Sequence, residues 1–234
     1  MRVSLMLTCL CDAFYGEVGI ATTRVLEHAG CQVEFPESQT CCGQPPFNAG
    51  DWPSAKSVAG RCLAAFAGQC PVVTPSASCA AMLRDGYPML GLNPPKVFEL
   101  SELLLDELRI DRWPLNGSSQ ASKGAAAFHR ACHGRALGLG DRQERLLKLA
   151  GWELVALAQE EQCCGFGGAF SATHGALSSG IGVEKLRHVV ESGAELLASG
   201  DMGCLMHLQG LIERHNFSLR TAHYCELLAE AISA

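Results

Sequence analysis

Apolar residues gather along this chain in short runs separated by longer mixed segments. "VSLML", "CQVEF" and "CPVVTP" fall in the first half, "AAAF", "WELVALA" and "AELLASG" in the second. Runs this short, bounded by polar and turn-forming residues, read as strands buried in a sheet. The segments between them have a different period. In "EVGIATTRVLEHAG" apolar residues recur at three- and four-residue spacing and a glycine closes the stretch, which predicts a helix. Strands alternating with helices predict parallel βαβ units, hence an α/β fold.

The pattern repeats. "QTCCGQPPFNAG" carries the adjacent pair Cys41 and Cys42, and "EQCCGFGGAF" carries Cys163 and Cys164, 122 residues later. Cys9 finds a counterpart 123 residues on at Cys132, and Cys79 finds one 125 residues on at Cys204. "SELL" at Ser101 and "CELL" at Cys225 are 124 apart. Four landmarks at a nearly constant offset predict a tandem duplication. The join falls in the polar, Gly/Ser-rich "DRWPLNGSSQASKG", giving halves of residues 1–115 and 124–234. The expected architecture is two Rossmann-like parallel-sheet halves related by a pseudo-twofold. In an open parallel sheet, ligands collect beyond the carboxyl ends of the strands. Cys9, the Cys41–Cys42 pair and Cys79 each follow a separate strand, as do Cys132, Cys163–Cys164 and Cys204, so four thiols are expected to converge in each half.

Composition narrows the chemistry. The 234 residues are 48% hydrophobic and 18% charged, which predicts a globular protein with a real core. No apolar run is long enough for a membrane span. The net charge of −6, without a basic stripe, argues against nucleic acid as a partner. The opening "MRVSLMLTCLCDAF" has too short an apolar run for an export signal and reads as a first strand, so a cytoplasmic location is expected. There, thirteen cysteines point to metal binding or redox chemistry before a disulfide framework.

Four thiolates suit one zinc ion or an iron–sulfur cluster. Structural zinc usually draws on C-x-x-C, which this chain lacks. Adjacent cysteines serve a polynuclear cluster more easily, because two sulfurs can bind different irons. Gly43 and Gly165, following the pairs, would let backbone approach it closely. The spacing leans to iron–sulfur, with zinc and a redox-active vicinal disulfide left open. Cys11, Cys31, Cys62, Cys70 and Cys225 lack counterparts at the offset and read as small buried hydrophobes. His129 and His133 flank Cys132, and His207 follows Cys204 by three residues. The first half has no histidine near Cys9, where Leu7 and Asp12 lie instead, so no histidine, including His223, is assigned a ligand role. "GFGG" lacks dinucleotide-binding spacing, and no Walker or G-x-S-x-G motif occurs. A component that moves electrons is the expected class, with a zinc-stabilised or metal-free interaction module as the alternative.

"CCGQPPFNAG", "TPSASCAAM", "HRACHGR", "CCGFGGAFS" and "GDMGCLMH" together resemble the cysteine-rich CCG-domain proteins, in order and over nearly the whole chain. The branch most similar comprises the small iron–sulfur subunits of three-part L-lactate utilisation systems. The B subunit of heterodisulfide reductase is a more distant relative. The resemblance implies cluster ligands at Cys9, Cys41, Cys42, Cys79, Cys132, Cys163, Cys164 and Cys204, and up to two [4Fe–4S] clusters. It also implies a non-catalytic redox subunit of an L-lactate-oxidising complex, partnered by a ferredoxin-like iron–sulfur subunit and a third small subunit. The heterodisulfide reductase branch ends each motif with C-x-x-C. Here Ser76 and Asp201 stand at the first position, which argues against that branch's clusters and suits hydrogen bonds or an oxygen ligand instead.

Overall fold

The computed structural model describes residues 1–68, 70–115 and 123–232. The core of the expected join, residues 116–122, lies outside the described residues. The chain forms two compact units, Met1–Ile110 and Asp111–Ala234.

The first unit holds four strands: β1 (Arg2–Leu5), β2 (Gln32–Glu34), β3 (Val72–Thr74) and β4 (Val97–Glu99). They form one parallel sheet in the order β2-β1-β3-β4. The second unit repeats this with β5 (Gly124–His129), β6 (Trp152–Val155), β7 (Leu196–Ser199) and β8 (Arg220–His223), in the order β6-β5-β7-β8. Register follows suit, with Leu5 beside Val73 in one sheet and Phe128 beside Ala198 in the other. The two duplicated α/β halves expected from the repeat are therefore present.

Burial grades across each sheet as coverage by helices dictates. All of β3 and all of β7 are buried, whereas edge strand β2 keeps Gln32 exposed. The predicted helix after the first strand runs Gly16–His28, burying Val18, Ala21, Thr22, Val25 and Leu26 on one face. It ends where Gly30 takes a φ of 79°, a left-handed turn that suits glycine. Among the described residues no helix is long and apolar enough to cross a membrane.

One detail positions the sites. In each sheet the strand order reverses beside the first strand of the unit, between β1 and β3 and between β5 and β7. A parallel sheet opens a crevice at such a switch point, beyond the carboxyl ends of the strands.

Candidate functional site

In the first unit, three segments at the carboxyl edge supply sulfur. Cys9 opens the helix Cys9–Phe14 after β1, where Thr8 Oγ1 accepts from the Cys11 amide at 3.1 Å. Cys41 and Cys42 lie in the loop after β2, just before the helix Gln44–Asn48. Cys79 sits in the helix Ala77–Ala81 after β3, capped by Ser76 Oγ, which accepts from the Cys79 amide at 3.3 Å. The thiols touch in a chain: Cys9 with Cys41, Cys41 with Cys42, Cys42 with Cys79. The last contact is 3.6 Å between sulfurs. The Gly43 amide faces Cys41 Sγ at 3.5 Å.

The second unit builds the same chain from Cys132, Cys163, Cys164 and Cys204. Cys132 opens the helix Cys132–Ala136, and Cys204 lies in the first turn of Met202–His215. Here two amides face sulfur, Gly165 to Cys163 Sγ at 3.3 Å and Phe166 to Cys164 Sγ at 3.5 Å. All eight sequence-predicted cysteines thus fall into two groups of four, one per unit. None of the thirteen cysteines, all of them among the described residues, is in a disulfide; of the unmatched five, Cys11, Cys31, Cys62 and Cys225 are buried and Cys70 is half-buried.

Thiols packed this closely share protons unequally. Hydrogen bonds from Cys42 and then Cys9 push Cys41 down to about 3. Its neighbours move up: Cys9 through its bond to Cys41 and burial, Cys42 through its bonds to Cys41 and Cys79 and burial. In the second unit bonds from Cys132 and Cys164 hold Cys163 down, while Cys132 and Cys164 rise. The first residue of each CC pair is thus the more acidic thiol of its set. Cation binding at such a set displaces the remaining protons.

The glycine after each pair is required sterically. Gly43 has φ +87° and a side chain there would place Cβ 3.0 Å from Ala55 O; Gly165 has φ +90° and its Cβ would lie 2.4 Å from Ser178 O. Each CC loop therefore rests its backbone directly on the second helix after it, Trp52–Ala65 or Gly175–Glu191. Ser76 acts as a helix cap, while Asp201, although also buried, makes no such cap bond to the helix it precedes.

Two residues near the second group were not assigned from sequence. His129, last residue of β5, is 1% exposed, and burial pushes its imidazole down to about 3. One of its ring nitrogens, Cys164 Sγ and Cys204 Sγ all lie within 4.8 Å of one another. Lys185 is wholly buried, and its Nζ donates to the carbonyls of Gln159 at 3.2 Å and Glu160 at 2.9 Å, at the approach to Cys163. His129 was visible three residues before Cys132, but no repeat partner marked it. Lys185 sits in an ordinary helical pattern, and only the packing reveals its burial. Of the other histidines flagged in the sequence, His133 Nδ1 lies 3.7 Å from Cys132 Sγ, His207 Nε2 lies 3.4 Å from Ser178 Oγ, and His223 Nδ1 accepts from the Cys225 amide at 3.3 Å.

Residues 3–84 and 126–209 each match the CCG cysteine-rich domain. The chain belongs to the CCG cysteine-rich domain family. Each match spans one sulfur group, so this CCG protein carries the domain twice. It is 42% identical to Lactate utilization protein A of Geobacillus kaustophilus, over 97% of this chain and 98% of that protein. It is 40% identical to Lactate utilization protein A of Halalkalibacterium halodurans, over 97% and 96% respectively. Among solved structures, a putative Asp/Glu racemase from Yersinia pestis aligns over 99% of this chain and 97% of its own at 11% identity and a TM-score of 0.37. That likeness is too slight to bear on the chemistry.

Proposed function

We propose that this CCG protein is an iron–sulfur electron-transfer subunit of a system that oxidises L-lactate. The observation that carries the reading is the duplicated contact chain of four thiols, with one backbone N–H facing sulfur in the first unit and two in the second. The residues present fit such a group. Cys9, Cys41, Cys42 and Cys79 would hold one cluster, and Cys132, Cys163, Cys164 and Cys204 a second. Gly43 and Gly165 leave no side chain between loop and helix, and the amides of Gly43, Gly165 and Phe166 supply hydrogen bonds of the kind that tune sulfur-ligated iron. When bound, an iron–sulfur cluster supplies one-electron transfer.

The lactate role rests on the relatives, which bear the name Lactate utilization protein A. Oxidation of L-lactate to pyruvate releases two electrons and two protons. The electrons require an acceptor, for which the reading names a ferredoxin-like iron–sulfur subunit, with a third small subunit completing the complex. The chain's own residues orient the eight sulfurs and lower Cys41 and Cys163 to thiolates ready for metal. Ser76 keeps the Cys79 turn in place.

Iron and acid-labile sulfide determined on protein purified anaerobically test the reading. Near-stoichiometric iron and sulfide in both units are expected, with co-purification of the partner subunits. Stoichiometric zinc without sulfide overturns it.

A further inference from the structure

The glycine contacts give a register between the two units that is independent of the cysteines. Gly43 faces Ala55, Val58 and Ala59, and Gly165 faces Ser178, Ile181 and Gly182. Each of these three pairs is 123 residues apart, the same offset as Cys9 to Cys132. Applied to the surroundings of the sulfurs, the offset pairs Met6 with His129 and Cys62 with Lys185.

Both exchanges run in one direction. Met6 and Cys62 are wholly buried and neutral. A thioether donates no hydrogen bond, and a buried thiol is a weak donor. His129 is buried with neither ring nitrogen partnered among the described residues. Leaving a buried donor unpaired is costly, so the packing around this imidazole needs an explanation. The polar atoms it faces are the sulfurs of Cys164 and Cys204. Lys185 adds a buried ammonium, fixed by two carbonyls close to the same loop.

We infer that His129 is a positioning residue that donates a hydrogen bond to the second unit's sulfurs. Together with Lys185 it holds that unit's cluster at a higher reduction potential than the first. The inference rests on the iron–sulfur reading above. Reduction by one electron adds negative charge to the metal and its sulfurs, and an N–H donor or a nearby cation stabilises the more negative state. The first unit offers neither at Met6 and Cys62. Asp201, a buried carboxylate at the start of the Cys204 helix where the first unit has Ser76, acts in the opposite sense. The direction therefore rests on His129 and Lys185 outweighing that carboxylate. At equilibrium a single electron on the chain resides in the second unit.

The test uses the full chain with iron and sulfide reconstituted anaerobically and counted before anything else. Protein that takes up no sulfide overturns the iron–sulfur reading itself. On loaded protein, a redox titration followed by electron paramagnetic resonance resolves the couples, and Cys42→Ser and Cys164→Ser assign them. The expected result is two separate couples, the higher one lost in Cys164→Ser. His129→Met, which copies the first unit, should shift the second couple's equilibrium constant about tenfold towards the oxidised form, equivalent to 59 mV for one electron. It should leave the first couple in place, and His129→Gln, which keeps an N–H donor, should recover part of the shift. Coincident couples at full loading, or an unmoved second couple in His129→Met, overturn the inference while leaving the iron–sulfur reading intact. Should His129→Met lose its second cluster, Lys185→Met carries the same expectation, and an unmoved couple there overturns it equally.

Discussion

In the first unit the helix carrying Cys79 runs only from Ala77 to Ala81 before widening into a π-helical turn, Met82–Gly86. In the second, the helix carrying Cys204 continues unbroken from Met202 to His215. Pro88 accounts for the difference. It has no amide to donate, and its ring conflicts with the carbonyl four residues back. The turn relaxes so that the Tyr87 amide bonds Met82 O, five residues earlier. Yet the sulfurs upstream make the same chain of contacts in both units. The placement of Cys79 and Cys204 is decided in the first turn of their helices, and the later turns are free to diverge.

Breaking one group and sparing the other gives the largest expected effect. If each unit holds iron as proposed, Cys42→Ser should remove it from the first and leave the second, and Cys164→Ser the reverse. Metal analysis should find about half the wild-type iron in each. If either single change empties both units, the sites are not independent.

Next come the glycines, whose clearances differ. Gly165→Ala meets Ser178 O at 2.4 Å, whereas Gly43→Ala meets Ala55 O at 3.0 Å, both at left-handed φ. Urea denaturation should find the former destabilising by about 3 kcal/mol and the latter by about 1–2 kcal/mol. Equal costs would mean that φ alone matters and the contact does not.

Alkaline pH should separate Cys62 from Lys185. Burial pushes Lys185 down to about 8 from 10.5, so between those values the unfolded chain holds more protons and this residue's contribution rises with pH. Burial pushes Cys62 up to about 11 from 9.0, so between those values the folded chain holds more protons and its contribution falls with pH. Lys185→Met and Cys62→Ala should therefore change the alkaline slope of unfolding free energy in opposite senses. Slopes that change in the same sense would contradict the pairing of these positions.

The smallest effect concerns the helix caps. Thr8→Ala should cost about 1 kcal/mol by thermal or urea denaturation, because it removes the acceptor for the Cys11 amide. The second unit already has alanine at this place: Ala131, 123 residues on, caps the Cys132 helix with no side-chain bond. A loss of the first unit's metal in Thr8→Ala would make the cap part of the site, which the second unit argues against.

Much of this was written in the sequence, because duplication turns weak signals into strong ones. The strands before Cys9, Cys41, Cys79, Cys132, Cys163 and Cys204 were legible as short apolar runs, and their thiols as a set. The fourth strands, β4 and β8, were not recognised. Val97–Glu99 is only three residues long, and Arg220–His223 is polar at both ends. Both lead directly into the helices that begin near "SELL" and "CELL", so the helical landmark concealed the strand before it. His129 and Lys185 stayed hidden for the opposite reason. The repeat highlights what the halves share, whereas these two matter because the halves differ. Only packing reveals that a histidine at a strand end and a lysine in mid-helix are buried together.

Within each group the sulfurs differ in their access to solvent. Cys9 is exposed and Cys41 half-buried in the first unit, whereas Cys132 and Cys163 are both exposed in the second; Cys42, Cys79, Cys164 and Cys204 are buried. Each group therefore has a mouth and a floor. Anything arriving from solution, whether an incoming iron, a chelator or an oxidant, meets the mouth sulfurs first. The second unit presents two of them, so it should be the first to fill during assembly and the first to be stripped in air.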